Sequence, residues 1–350
     1  MDVQARPAPP YHPREVLREL WDRFPIWFLY IQSIGLLHFV RANVPERMFA
    51  AGGVTRSGIC LTPIVPLSLV TAYYLLRAVR SKGIRSVPLT AAIVLLFTAG
   101  LPLFIYFIYK GVPTHEITER QLITIFEYSQ IVWFAVFLLH TGLKKGWAGI
   151  VLFWLVAMLY GIVLENGGII LGFFFEGNFT HYVYRLPAPI CTMFGWVLVM
   201  YVCTAIAEEF AALLPHVPWT PFRLAVVTTA AALAFDLQLD PMASLSGIWW
   251  RWNDALPPRW FGVPMINYVA WFSAVLPFAY WYFRVQARPE WAPMMRSKQL
   301  FLHLHVALLV AGVLNFGIMA VYEAISGQGF LTGPTYRILD AFFDKILPYG

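Results

Sequence analysis

The sequence predicts an all-α fold, a polytopic membrane helical bundle of about eight or nine transmembrane helices with an amphipathic helix at each terminus. Three observations predict it. First, 59% of the 350 residues are hydrophobic and only 13% are charged, about half the ~25% charge of a soluble domain. A soluble core has no means of burying that much apolar surface, so the solvent is lipid. Second, the apolar residues come in runs of about 20, the length that crosses a hydrocarbon core. Third, Lys and Arg, in excess at a net charge of +6, sit mostly in short connections between those runs, where they meet anionic headgroups. The positive charge is thereby assigned to membrane lipids, and no nucleic-acid partner is expected.

The elements follow in chain order. Residues 1–12 are polar and Pro-rich and read as a tail, not as a charged start followed by an apolar signal run. Residues 13–24 put Leu17, Leu20, Trp21 and Phe24 on one face and Arg14, Glu15, Arg18, Glu19 and Asp22 elsewhere, the pattern of a helix lying in the membrane interface. A single transmembrane domain is expected over 25–325, with spans at 25–41, 59–79, 87–109, 122–141, 147–171, 187–213, 222–239, 264–284 and 300–325. Pro63, Pro66, Pro102 and Pro277 fall inside spans, where neighbouring helices satisfy the freed carbonyls. The segment 326–350 reads as a second interfacial helix, with Ile338, Leu339, Phe342, Phe343 and Ile346 facing away from Asp340, Asp344 and Lys345. With the N-terminus inside, the inside connections carry the larger share of Lys and Arg.

Few residues in these spans carry chemistry. Cys60, Cys191 and Cys203 have no metal-ligand spacing and read as small buried hydrophobes. No Walker loop, dinucleotide glycine fingerprint, GxSxG, DDxxD pair or membrane histidine box is present. No metal and no cofactor is expected. His303 and His305 lie two apart, on different helical faces, and His140 and Glu127 in the fourth span are candidate partners for them. Glu208 and Glu209, near Pro215, read as interfacial.

The strongest signal is a pair of carboxylates, Asp236 and Asp240, at the end of the seventh span. An i, i+4 spacing puts both on one helical face, and an Asp near hydrocarbon costs about 3 kcal/mol even on lenient scales. Trp249, Trp250, Trp252 and Asn253 follow, then Gly262, Pro264, Asn267 and Trp271. The segment 241–263 reads as a long loop, a common setting for a lid or site. A second constellation holds Glu165, Asn166, Gly168, Gly172, Tyr182 and Tyr184. Glu165 ends an uncharged run and has no partner nearby in sequence. Gly168 and Gly172 form a small-xxx-small pattern that lets a helix or a ligand approach the backbone. Glu165 and Asp236 lie near the ends of spans separated by one crossing, so they belong on the same side of the membrane.

These residues resemble the carotenoid biosynthesis membrane proteins that include carotenoid 1,2-hydratases. That family carries an Asp-x-x-x-Asp-Pro run, a Trp-rich segment and Gly-x-Pro-x-x-Asn with Trp four residues on. Asp236, Asp240, Pro241, Trp250, Trp252, Gly262, Pro264, Asn267 and Trp271 match it. The upstream family motif matches at Glu165, Gly168, Gly172, Phe175, Tyr182 and Tyr184 and departs at Leu171, Phe174 and Glu176. The resemblance covers a core of 150–285. It implies a cofactor-independent hydro-lyase acting on an apolar polyene or isoprenoid substrate in a cell membrane, and in a bacterium the inner one. The reaction implied is addition of water to the terminal C1–C2 double bond of a linear ψ-end. Asp236, Asp240 and Glu165 are then the catalytic carboxyls. Trp249, Trp250, Trp252, Asn253, Tyr182, Tyr184, Asn267, Trp271, Gly168 and Gly172 are the substrate-binding set. The alternatives are an isomerase or cyclase-like enzyme using the same acid, and a non-enzymatic transporter or lipid-binding protein.

Overall fold

A computed structural model describes residues 118–327, except 177, 178, 255, 257, 258 and 261, together with 18, 21–25 and 28. The expected spans 59–79 and 87–109, all of 25–41 but Pro25 and Phe28, most of the N-terminal amphipathic helix, the helix at 335–347 and Cys60 lie outside the described residues. Within them the protein is a helical bundle carrying two short strand pairs. Among the described residues, four helical stretches are long and apolar enough to cross a membrane: Glu119–Ile170, Ile190–Ala212, Pro221–Pro241 and Pro293–Ser326.

The first helix, α1 (Glu119–Ile150), opens on a reciprocal cap. The Thr118 hydroxyl accepts from the Gln121 backbone at 3.3 Å, and the Gln121 side chain accepts from the Thr118 backbone at 2.7 Å. This satisfies two donors that the first turn otherwise leaves bare. At Gly146 the backbone takes φ 66°, ψ −167°, a conformation that in practice only glycine adopts. The chain folds back there. Phe134 and Trp154, which a straight helix would hold about 30 Å apart, have ring centroids 4.5 Å apart. The expected spans 122–141 and 147–171 are thus the two arms of one hairpin. A π-helical turn, Val151–Ala157, leads into α2 (Met158–Ile170).

The remaining helices are α3 (Ile190–Leu213), α4 (Pro221–Ser246), α5 (Met265–Gln286) and α6 (Pro293–Ser326). Helix α4 starts at the Thr220 cap with Pro221 in its first turn, where a missing N–H costs nothing. It runs through Pro241 and stops at Gly247, whose φ of 64° is the left-handed cap. The expected long loop at 241–263 is therefore not structureless. Its first part is helix, and Trp250–Trp252 forms β2, antiparallel to β1 (Phe174–Glu176), with Phe174 opposite Trp252 and Glu176 opposite Trp250. A second pair, β3 (Arg259–Trp260) and β4 (Val263–Pro264), turns through Gly262 and delivers the chain into α5.

The core sits between α1, the π-helical turn, α3, α4 and α5, around Phe137, Phe153, Tyr201, Phe278 and Tyr282. Close approach uses glycine: a Cβ on Gly161 of α2 would stand 2.5 Å from the Trp196 Cβ of α3. Trp21 and Phe24 face the bundle, with ring centroids 5.1 Å from His140 and 5.1 Å from Phe137 respectively.

Candidate active site

Helix α4 carries Asp236 and Asp240 on one face because the helix continues past them. Both are buried, at 0% and 4% exposure. Asn267, in the first turn of α5, answers both with one amide nitrogen. Its Nδ2 donates to Asp236 Oδ2 at 3.0 Å and to Asp240 Oδ2. An amide carries two N–H groups, so one nitrogen serves two carboxyls. The two carboxyls lie within electrostatic reach of each other, beside the Trp250 side chain. Asp236 Oδ1 is buried without a hydrogen-bond partner among the described residues.

Asp240 and Asn267 open onto a cavity of about 330 Å³, within the usual range for small-molecule sites. Its lining also includes Glu165, Gly168, Trp250, Trp252 and Trp271, together with Phe126, Leu198, Val199 and Leu308. It follows α3 from Cys191 to Val202, about 16 Å of helix rise, which is half of a ~30 Å hydrocarbon core. The acid end is the tryptophan end: Cys191 clusters with Trp249, Trp250 and Trp252, whereas Val202 belongs to the bundle core with Phe28.

Glu165 reaches the same cavity as Asp240, from α2, as the spacing of the spans predicts. The expectation that it lacks a partner is corrected. Its Oε2 accepts from Trp196 Nε1 at 2.6 Å, a contact between helices that no local sequence spacing reveals. Trp196 in turn stacks on Trp271, centroids 4.7 Å apart and planes 24° apart.

Other expected site residues lie outside the cavity. Trp249 is buried beside it against Phe126, at 5.6 Å. Asn253 ties the β1 entry to β2, donating its side chain to Gly172 O and its backbone N–H to Phe173 O, both at 3.0 Å. Gly172 turns the chain after α2 with φ 75°. Gly168, which does line the cavity, makes room for a ring and not for a helix: a Cβ there would stand 2.5 Å from Phe174 Cε1. Tyr182 bridges to Pro189 and is half-exposed. Tyr184 is 82% exposed and lies under the Arg185 guanidinium at 5.1 Å.

The proposed pairing of His303 and His305 with His140 and Glu127 is also corrected. His140 bonds the Tyr201 hydroxyl at 2.7 Å and the Trp21 carbonyl at 2.8 Å. Glu127 accepts from the backbones of Thr180 and His181 at 2.8 and 3.0 Å. His303 bonds the Gln299 carbonyl within its own helix. Residues that sequence reasoning passed over do line the cavity: Trp196, Gln130, Thr192, Ser273 and Asn315. Each is one polar or aromatic residue on an apolar helix, and only packing decides which way it faces. Among the described residues no group of His, Cys, Asp and Glu is arranged to hold a metal ion.

A family model described as carotenoid biosynthesis protein matches residues 122–334. The chain belongs to that family. No curated protein and no solved structure matches it. The match spans every residue that lines the cavity except Phe28. The protein is thus a carotenoid-related membrane-helix protein with two buried aspartic acids, of which Asp240 lines an apolar cavity and Asp236 lies behind it, joined through Asn267.

Proposed function

We propose that this carotenoid biosynthesis protein hydrates the terminal C1–C2 double bond of a linear ψ-end carotenoid, as a multi-pass enzyme of a bacterial inner membrane. The observation that carries the reading is the Asp236–Asp240 pair, bridged by Asn267 at the tryptophan-walled end of an apolar cavity. Two carboxyls this close cannot both ionise readily, so the pair retains one proton and acts as a single acid.

The carboxyl proton adds to C2 as the C1–C2 π pair forms the new C2–H bond, which leaves a tertiary cation at C1. A water oxygen then bonds to C1, and the proton it gives up returns to the Asp pair, directly or by way of Glu165, which lines the same cavity. The net change is one added water, with no redox step. The Trp250 and Trp252 rings wall the cavity at the acid end. A cavity half a bilayer long suits one end of a polyene and leaves the other end outside it.

The test is expression in a cell that makes lycopene or γ-carotene, with mass analysis of the pigments and H₂¹⁸O in the medium. Hydration adds about 18 Da, one water, and carries the label. An unchanged mass with a moved double bond or a new ring would replace this reading with an isomerase or cyclase. Oxygen drawn from O₂ would replace it with an oxygenase.

A further inference from the structure

Trp196 and Trp271 have no part in the proton transfer, yet both line the cavity. Trp271 stands one turn beyond Asn267 on α5, about 6 Å along the helix. Trp196 stacks on it from α3 at 4.7 Å and gives its indole N–H to the Glu165 carboxyl at 2.6 Å. An indole face carries the negative part of the ring quadrupole. An N–H bonded to a carboxylate shifts further electron density onto that face. Satisfying an indole N–H does not require an acid: Trp219 uses the Leu214 carbonyl at 2.9 Å. A carboxyl in this place adds negative charge to the cavity wall. Among the described residues no Lys, Arg or His lines the cavity to offset it.

We propose that the stacked Trp196–Trp271 pair, polarised by Glu165, is the carbocation-binding face of the cavity. The inference rests on the proton-addition reading above and deepens it. The ligand class becomes an apolar chain that carries positive charge at one branched carbon, one helical turn from the acid pair. The charged carbon rests against the open side of the stack, and Glu165 acts on it through Trp196.

The test uses a ligand pair: a long-chain alkenyl trimethylammonium, which mimics the C1 cation, and its neutral isostere with a quaternary carbon in place of nitrogen. Binding of each to the purified protein in detergent is measured. Mono-, di- and trifluorotryptophan are placed singly at 196 or 271, which drains the ring face with little change of shape. The wild type is expected to prefer the ammonium, and each ring to lose about 3- to 30-fold of that preference across the fluorine series. Affinity for the neutral isostere should stay constant. Glu165→Gln, which keeps the hydrogen-bond acceptor and removes the charge, should lower the preference in the same direction. Absence of any preference in the wild type, or a flat fluorine series, overturns the assignment. Product mass is read separately. A protein that hydrates but gives a flat series sinks this inference alone. A graded series without water addition upholds the inference and removes the hydration.

Discussion

Two polar clusters lie toward opposite ends of α1, and they are built on opposite rules. At one end Lys145 Nζ donates to both Glu208 oxygens at 2.9 Å and contacts the Tyr282 hydroxyl at 3.2 Å, while Tyr282 donates to Glu208 at 2.5 Å. Lys144 pairs with Asp22 at 2.7 Å, and His140 holds the Trp21 carbonyl. Opposite charges meet, and the cluster pins the N-terminal segment and the Gly146 reversal to the bundle. At the other end, beyond Phe126 and about 28 Å of helix away, like groups meet. Asp236 and Asp240 share a single amide donor, and Asp236 Oδ1 is left over. A cluster that satisfies itself is an anchor. A cluster left unsatisfied in a buried site is held by the rest of the fold, and such places are where function concentrates.

The comparison breaks most visibly at the acid pair. Asp240→Asn or Asp236→Asn should leave folding and insertion intact, since Asn is nearly isosteric and cheaper to bury. For the member that donates the proton, turnover should fall by about 10²–10⁴-fold, measured as hydrated pigment per folded protein. Full activity in both variants would remove the acid mechanism.

Next in size is Asn267→Leu. It takes away the donor common to both carboxyls, and hydrogen bonds to charged groups contribute about 1.5–3 kcal/mol. Turnover should drop roughly 10- to 100-fold by that measure, with membrane insertion unchanged by fractionation. An active Leu variant would mean that the pair organises itself.

At the other cluster the expectation reverses. Lys145→Met should lower thermal stability in detergent by about 1–2 kcal/mol, below the 3–5 kcal/mol of a fully buried pair because both partners are partly exposed. Turnover per folded molecule should stay within about twofold, as expected away from the reacting groups. A loss of turnover without loss of stability would make this end functional too and would dissolve the contrast. The smallest effect is expected for Tyr184→Phe, on a side chain 82% exposed, where stability should change by less than about 0.5 kcal/mol. A tenfold loss of turnover there would return the tyrosine loop to the site.

Much of the acid end was legible before any packing was known. Asp236 and Asp240 share a face by helical period alone, and counting crossings puts Glu165 with them, in keeping with the cavity it shares with Asp240. The reversal between 141 and 147 was legible as a break between two apolar runs that carries Lys144 and Lys145. What stayed hidden was every contact that depends on the rotation of one apolar helix against another. Glu165 looked unpartnered because Trp196 lies on a different helix. Tyr182 and Tyr184 followed a motif into the site, but the backbone after β1 carries them to the surface. Trp250 and Trp252 owe their inward facing to the pairing of β2 with β1, three residues a side, too short to announce itself.

By itself, then, the chain determined its solvent, its helices and the one face that carries two acids, because apolar content, helix length and a period of 3.6 are local properties. Only the tertiary structure decided what those acids meet. In a bundle whose helices are apolar on most sides, hydrophobicity does not choose a facing. Close packing does, through glycines such as Gly161, and so do single polar side chains such as Asn267 that reach across.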